Sequence, residues 1–446
     1  MKHVRHGGAL LVLDYWEKLA GASLALSAII RLCQRTTFSL VAPFVLSSLF
    51  VPGRSATSGA QALELSAYYN VSALREALRP RRLLDIGTWQ IRLRHVPIPA
   101  CLLVVIYDDF PSSCTAPMAR RAPMDSWCPP PCLALGGVRR LLAAAAPWVN
   151  STTTDLPARC VLGAELRMAI QTGTGRAAEV FRTHTAVALL NFRRHDEGRP
   201  MLPQPEAHAL RALAVQPSHS VRSAARRFLT RHQLPLRAYA AVQLRSNHLA
   251  QAAYAASTRQ LARGGAGGGG GAAGGGARGG GRGGARGGAG GADTAGVGGP
   301  PCRERVLACM QKLSRAARRL ALPSATVVAS DVPTLHQRNQ DGATHRRKSY
   351  VRECLSPALP DLHAWYRATG KGLNCTRRRR RGPAAPVSEA ERTCDAGWLG
   401  LVDLVLATDA VSFVALDSGV WRSAFLEWIV QRRTRAGVRS ELIKCA

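Results

Sequence analysis

The sequence predicts an α/β protein with a parallel sheet, and three short apolar runs predict it. The first follows Pro235 and passes through Ala238-Tyr239-Ala240-Ala241-Val242 to Arg245, where the polarity changes. The second, Ala325-Thr326-Val327-Val328-Ala329-Ser330, ends at Asp331. The third, Phe413-Val414-Ala415-Leu416, is preceded by an apolar stretch between Asp403 and Asp409 and followed by Asp417-Ser418-Gly419. Trp421, Arg422, Phe425, Trp428 and Ile429 then continue as a helical pattern. Short apolar runs bounded by turn or polar residues read as buried strands. Strands that end on a polar residue and lead into a helix build a parallel sheet whose site lies at its carboxyl edge. An Arg at the mouth of such a strand must face something that balances it, either an anionic ligand or the carboxylate of an ordinary strand-end ion pair.

From the start of the chain, MKHVRHGG is basic, but the apolar stretch behind it is cut by Asp14, Glu17 and Lys18, so it does not read as a cleavable signal. Residues 19–51 are apolar enough to suggest a membrane span, yet Arg31, Arg35 and Pro43 interrupt them. A charge at mid-bilayer costs roughly 2.5–3.5 kcal/mol on insertion scales, which argues against a span. Leu19, Ala22, Leu26, Ile29, Ile30 and Cys33 recur at helical spacing instead, and residues 36–42 read as the following strand. Next come a helix over 72–78, strands over 82–86 and 102–107, and a long irregular connection rich in Pro, Ala and Cys over 111–160. Residues 185–192 look like the last strand of this half. Ser218 can cap a helix whose apolar face holds Val221, Ala224, Ala225, Phe228 and Leu229, and Pro235 stops the chain before the Arg245 strand. The domain boundary is placed near residue 200, with domains 1–200 and 201–446.

Residues 264–299 are nearly all Gly, Ala and Arg, including ARGGGRGGARGG. Such a stretch cannot bury a core, so 264–300 is expected to be a disordered loop inserted in the second domain. RGG-like tracts also bind RNA through its phosphates, but the aromatic residues that would stack on bases are missing from this one. Arg377 to Arg381 reads first as a solvated loop and second as an anionic docking patch.

The 446 residues suffice for two domains with sizeable cores. Lys and Arg number 60 against 28 Asp and Glu, a net charge of +32, which raises nucleic acid, acidic membranes and anionic substrates as partners. The excess is nearly all Arg, beside abundant Ala and Gly, a bias that GC-rich coding also produces. Twelve cysteines leave the disulfide connectivity open. Cys128-Pro-Pro-Pro-Cys132 lacks further His or Cys at metal spacing, and the adjacent Asp108 and Asp109 point to opposite faces of a strand end, so no metal site is expected. Three sequons, at Asn70, Asn150 and Asn374, hint at the secretory lumen.

The order of the three strand motifs resembles the nucleotide-sugar domain of the fucosyltransferase superfamily that includes protein O-fucosyltransferases, α1,6-fucosyltransferases and their rhizobial relatives. In that family a strand ending in His-x-Arg supplies the Arg that binds the β-phosphate of GDP-fucose. Gln243-Leu244-Arg245 keeps the Arg and carries Gln in place of the His. Ala329-Ser330-Asp331 matches a second strand ending in Ala-Ser/Thr-Asp, and Asp403 through Arg422 is similar to the third motif, with Asp417-Ser418 where the family often has two serines. The resemblance covers the C-terminal half well and the N-terminal half loosely. It implies a GT-B-like fold, with two Rossmann-like domains facing a cleft, and metal-independent transfer of fucose from GDP-fucose with inversion.

It also implies roles. Arg245 would hold the diphosphate, helped by Ser418 and Gly419 at a strand-to-helix turn, and Asp331 would accept hydrogen bonds from guanine or ribose. No cofactor is expected beyond the donor substrate. The acceptor, a protein or glycan hydroxyl, falls to the N-terminal domain, where the family has a glycine-rich turn that Tyr15-Trp16-Glu17-Lys18-Leu19-Ala20-Gly21 does not match. Glu17 could act there as general base, or simply as a first-turn Glu that favours the helix dipole. The family usually carries an N-terminal membrane anchor that is not visible here, so membrane association would need a segment ahead of this chain. The expected location is the lumen of the ER or Golgi. Two other classes stay open: a nucleotide-sugar-fold protein that binds without turnover, and a basic RNA-associated protein acting through its Gly/Arg tract.

Overall fold

The computed structural model describes residues 8–12, 19–41, 65–85, 88, 100–106, 158–190, 192–196, 199–244, 308–309, 311–313, 315–316, 319, 326–330, 396–417 and 423–444. The chain divides into two compact units. One comprises Met1–Arg231, Gly372–Thr408 and Glu427–Arg432; the other comprises His232–Lys371, Asp409–Leu426 and Arg433–Ala446. Each contains a parallel sheet, as the α/β pattern requires.

The first unit is built on six parallel strands: β1 (Ala9–Val12), β2 (Ser39–Val41), β3 (Leu83–Leu84), β4 (Ala100–Ile106), β5 (Ala158–Leu162) and β6 (Ala186–Leu190). Their order is β3-β2-β1-β6-β4-β5. Ala9, Leu10, Leu11 and Val12 are all fully buried, as a central strand covered on both faces demands. Gly8 leads into it, and an added Cβ there would stand 2.6 Å from the Phe38 ring. That ring meets Phe181 edge to face at 5.3 Å.

Helix α1 (Leu19–Arg35) follows β1 and is buried on nearly every side. Its serines are tolerated because Ser23 Oγ donates to Ala20 O and Ser27 Oγ to Ser23 O, leaving no buried hydroxyl unpaired. The short α2 (Leu65–Tyr68) and α3 (Val71–Leu78) come next, then α4 (Gly163–Thr172), α5 (Arg176–Thr183), α6 (Gln204–Ala214) and α7 (His219–Arg231). Between α4 and α5 the chain turns through Gly173, whose φ of 73° closes the end of α4 in the left-handed region. Ser218 Oγ accepts from Val221 N at 3.3 Å, so the expected cap of α7 forms.

Helices α1, α3 and α6 pack together. Gln34 Nε2 donates to Ala77 O at 2.8 Å, and Arg31 pairs with Glu206. Residues 427–432 also belong to this unit. Trp428 carries the buried Arg211 guanidinium over its ring at 5.1 Å, and Gln431 accepts from Arg211. Gln431 Nε2 lies 2.7 Å from His208 Nδ1, and His208 Nε2 lies 3.7 Å from Glu427 Oε1. No described helix is long and apolar enough to cross a membrane.

The second unit is built on β9 (Ala240–Leu244), β10 (Thr326–Ser330), β11 (Ser412–Asp417) and β12 (Glu441–Lys444), ordered β10-β9-β11-β12 and parallel throughout. In the first unit a short antiparallel pair, β7 (His195–Asp196) and β8 (Arg199–Pro200), stands apart from the main sheet. Helix α8 (Ala396–Asp409) leads to β11, and α9 (Ala424–Arg435) leads from it towards β12. Cys309 is disulfide-bonded, whereas Cys33 and Cys101 are free and buried, and burial pushes both thiols up to about 12. The expected disordered loop over 264–300 lies outside the described residues, as do Asp108, Asp109 and the Cys128-Cys132 pair.

Arg433 holds the amino-terminal end of the second sheet. Its side chain is fully buried over the Phe413 ring, at 5.6 Å from the ring centre. Nη1 donates to Ala410 O at 2.6 Å and Nη2 to Arg439 O at 2.7 Å, with a longer bond to Val411 O. The guanidinium thus ties the turn before β11 to the turn before β12. Replacing it, as in Arg433→Leu, strands several buried carbonyls, and the full chain is expected to lose about 3 kcal/mol or more of stability in urea unfolding.

His184, at the end of α5, is buried, and burial lowers its imidazole below the ordinary range; His195 is lowered for the same reason. The folded state therefore favours the neutral rings. Their stabilising share is complete above about pH 6.5 and is lost as the pH falls below that value, because the unfolded chain takes up protons first. Urea midpoints measured from about pH 6.5 down to 5 should fall less steeply in His184→Asn than in the wild type.

Candidate functional site

Strand β9 carries the candidate site of the second unit, and its residues explain why it sits in the middle of the sheet. Tyr239, Ala240, Ala241, Val242 and Gln243 are all buried. Small side chains at 240 and 241 suit a strand covered on both faces and paired on both edges. On one side Val242, Gln243 and Leu244 lie opposite Val328, Ala329 and Ser330 of β10. On the other, Val242 and Gln243 lie opposite Val414 and Ala415 of β11. The three strands therefore end together at one edge, with Leu244 level with Ser330.

The strand order reverses at this edge. The chain adds β10 on one side of β9 and then returns to add β11 on the other, so the connections leaving β9 and β11 diverge. A crevice at the carboxyl ends of two such strands is where open α/β sheets take their ligands.

Arg245 is the residue after β9, Asp331 the residue after β10, and Ser418 and Gly419 the two after β11. The structure thus brings the three preceding strand ends side by side in one sheet. Glu17 stands two residues before α1, in the first unit. All five residues lie outside the described residues themselves. Among the described residues, no group of three or more His, Cys, Asp or Glu side chains is placed to hold a metal ion.

Helix α9 begins later than the sequence pattern suggests. Its first residue is Ala424, and Ser423 Oγ accepts from Leu426 N at 3.3 Å as the cap. The signal was present in the sequence, a Ser directly ahead of an apolar helical run, but Trp421 and Arg422 fit the same period and hid the start. At the opposite edge of the sheet, Val411 N donates to Tyr239 O at 2.9 Å. Burial raises the Tyr239 phenol, Asp409 raises it further, and Arg433 pulls it back. Arg433 is lowered by burial. These groups lie at the amino ends of the strands, away from the carboxyl edge, and belong to the framework.

The fold is thus of the doubly wound α/β class, with two parallel sheets and a candidate site at a strand-order reversal. No family model matches the chain, and no curated protein matches it. Among solved structures, POFUT1 in complex with GDP-fucose is similar at 11% identity, with 99% of each chain covered and a TM-score of 0.48. Apo POFUT1 is similar at 10% identity, with the same coverage and TM-score. The fucosyltransferase NodZ from Bradyrhizobium is similar at 10% identity over 96% of this chain and 92% of its own, with a TM-score of 0.38. Likenesses this weak carry nothing about the activity of this chain.

Ser423→Ala should lower the stability of the full chain by about 1 kcal/mol, read as a lower thermal midpoint, while Ser423→Asp restores it.

Proposed function

We propose that the chain is a glycosyltransferase that transfers fucose from GDP-fucose to a hydroxyl of a protein or glycan, without a metal ion and with inversion at the anomeric carbon. One observation supports this reading most: the residue after the central strand β9, at the point where the strand order reverses, is Arg245.

The chemistry asks for what these residue types supply. Transfer breaks the bond between the anomeric carbon and a phosphate oxygen, so positive charge grows on the sugar and negative charge on the departing diphosphate. A guanidinium can meet that charge with two parallel hydrogen bonds. A Ser hydroxyl and the N–H groups of a Gly-containing turn add fixed donors, and Gly lets the backbone come close to the phosphate. Arg245 takes the first role and Ser418 with Gly419 the second. Asp331 accepts hydrogen bonds from guanine or ribose. Glu17 takes the proton of the acceptor hydroxyl as that oxygen attacks the face opposite the diphosphate. The donor residues belong to the C-terminal half and Glu17 to the N-terminal half. The reading places the protein in the ER or Golgi lumen, with membrane association through a segment ahead of this chain.

Calorimetric titration of GDP and of GDP-fucose, with EDTA throughout, tests the donor pocket. Binding should survive EDTA and weaken at least tenfold, about 1.4 kcal/mol, in Arg245→Ala. Deleting 264–299 should leave it unchanged. A folded wild-type protein that binds neither ligand would sink the donor assignment, and loss of RNA binding on that deletion would favour the RNA-associated reading.

A further inference from the structure

The sequon Asn70-Val71-Ser72 lies among the described residues, whereas those at Asn150 and Asn374 do not. Asn70 is the N-cap of α3, with φ −71° and ψ 102°. Its Oδ1 accepts from Ser72 N at 3.1 Å and from Ala73 N at 3.5 Å. The backbone on either side is held in place. Asn70 N donates to Gln216 O at 2.8 Å, Ser218 N to Tyr68 O at 3.0 Å, and Tyr69 bridges Pro217.

The cap uses only the carbonyl oxygen of the side-chain amide. Nδ2 donates to no described residue, and Asn70 is half-buried, not enclosed. Ser72, whose hydroxyl completes the sequon, is exposed. A group added at Nδ2 would leave Oδ1 free to go on capping the helix. The disulfide at Cys309 independently fits a chain that folds in an oxidising compartment.

We propose that Asn70 is an N-glycosylation site: within the secretory lumen its Nδ2 accepts an oligosaccharide from a lipid-diphosphate-linked donor. The bond between the sugar's anomeric carbon and the donor phosphate breaks and a bond from that carbon to Nδ2 forms. The amide gives up one proton, and the lipid diphosphate leaves with the bonding pair. The modified amide keeps one N–H and its carbonyl, so α3 starts at the same residue with or without the sugar. This inference does not rest on the transferase reading, since it concerns a different residue and a different reaction.

The test uses the full chain secreted from eukaryotic cells behind a cleavable leader. The glycans are then released with a peptide amidase in heavy-oxygen water, which converts each glycosylated Asn to a labelled Asp. Peptide mass spectrometry should find the label at residue 70 in the wild type and in Ser72→Thr. Ser72→Ala removes the hydroxyl but keeps the backbone N–H that the cap uses. It should lose the label at 70 while keeping the thermal midpoint of enzymatically deglycosylated wild type. An unlabelled Asn70 in secreted, folded wild-type protein overturns the proposal, whatever is found at Asn150 and Asn374. So does a label at 70 that persists in Ser72→Ala.

Discussion

The second unit depends on β9 being hydrogen-bonded on both sides by parallel neighbours. A parallel neighbour cannot be reached by a tight turn, so each addition to β9 needs a crossover long enough to carry the chain back to the same end of the sheet. In parallel sheets such crossovers cover both faces, as the burial of Ala240, Ala241 and Val242 requires. They also make every strand start at one edge and finish at the other. The amino edge becomes framework and the carboxyl edge becomes free for chemistry. With β10 on one side and β11 on the other, the connections at that free edge part at β9 itself. The position of the candidate site follows from the order in which strands were added, before any side chain is considered.

The framework edge shows what some of the arginine excess does. A guanidinium loses its hydration when it is buried, and the loss is tolerable only if its donors are met. At Arg433 they are met mainly by backbone carbonyls from two turns, together with the Ser440 hydroxyl and the Phe413 ring. At Arg211, in the first unit, a Trp face and a Gln carbonyl meet part of that requirement. Arg433 acts as a multi-armed donor that stitches separate segments, a task that the planar, five-donor geometry of Arg performs and Lys does not. A net charge of +32 therefore overstates the cationic surface offered to nucleic acid, because part of it is enclosed.

Elements with long apolar periods were legible. Helix α1 was placed from Leu19, Ala22, Leu26, Ile29, Ile30 and Cys33, and the strands at β9, β10 and β11 from unbroken apolar runs. The elements missed were those in which local pattern is weak and pairing decides. Strand β1 has four apolar residues shortly ahead of Asp14, Glu17 and Lys18, a local pattern that fits a leader as well as a strand; pairing between β2 and β6 makes it a strand. Strand β5, Ala158–Leu162, contains Arg159 and follows a Pro-rich stretch, and its register against β4 alone identifies it. Strand β12 ends in Lys444 and is likewise defined by pairing, with β11. Helix α6 carries Pro205 in its first turn, where a missing N–H costs nothing, so a proline there does not exclude a helix. The site was legible to the strand ends and no further. Periodicity reports which face of a strand is buried, whereas the turn after it follows no period.

Gln243 shows how much one substitution at that edge matters. In the superfamily that the motif order resembles, a His stands two residues before the Arg; here a buried Gln does, level with Ala329 and Ala415. An imidazole there would change charge across the physiological range and would repel the guanidinium when protonated. A carboxamide keeps a donor and an acceptor but never becomes charged. Whatever support 243 lends to 245 is therefore the same at every pH in that range.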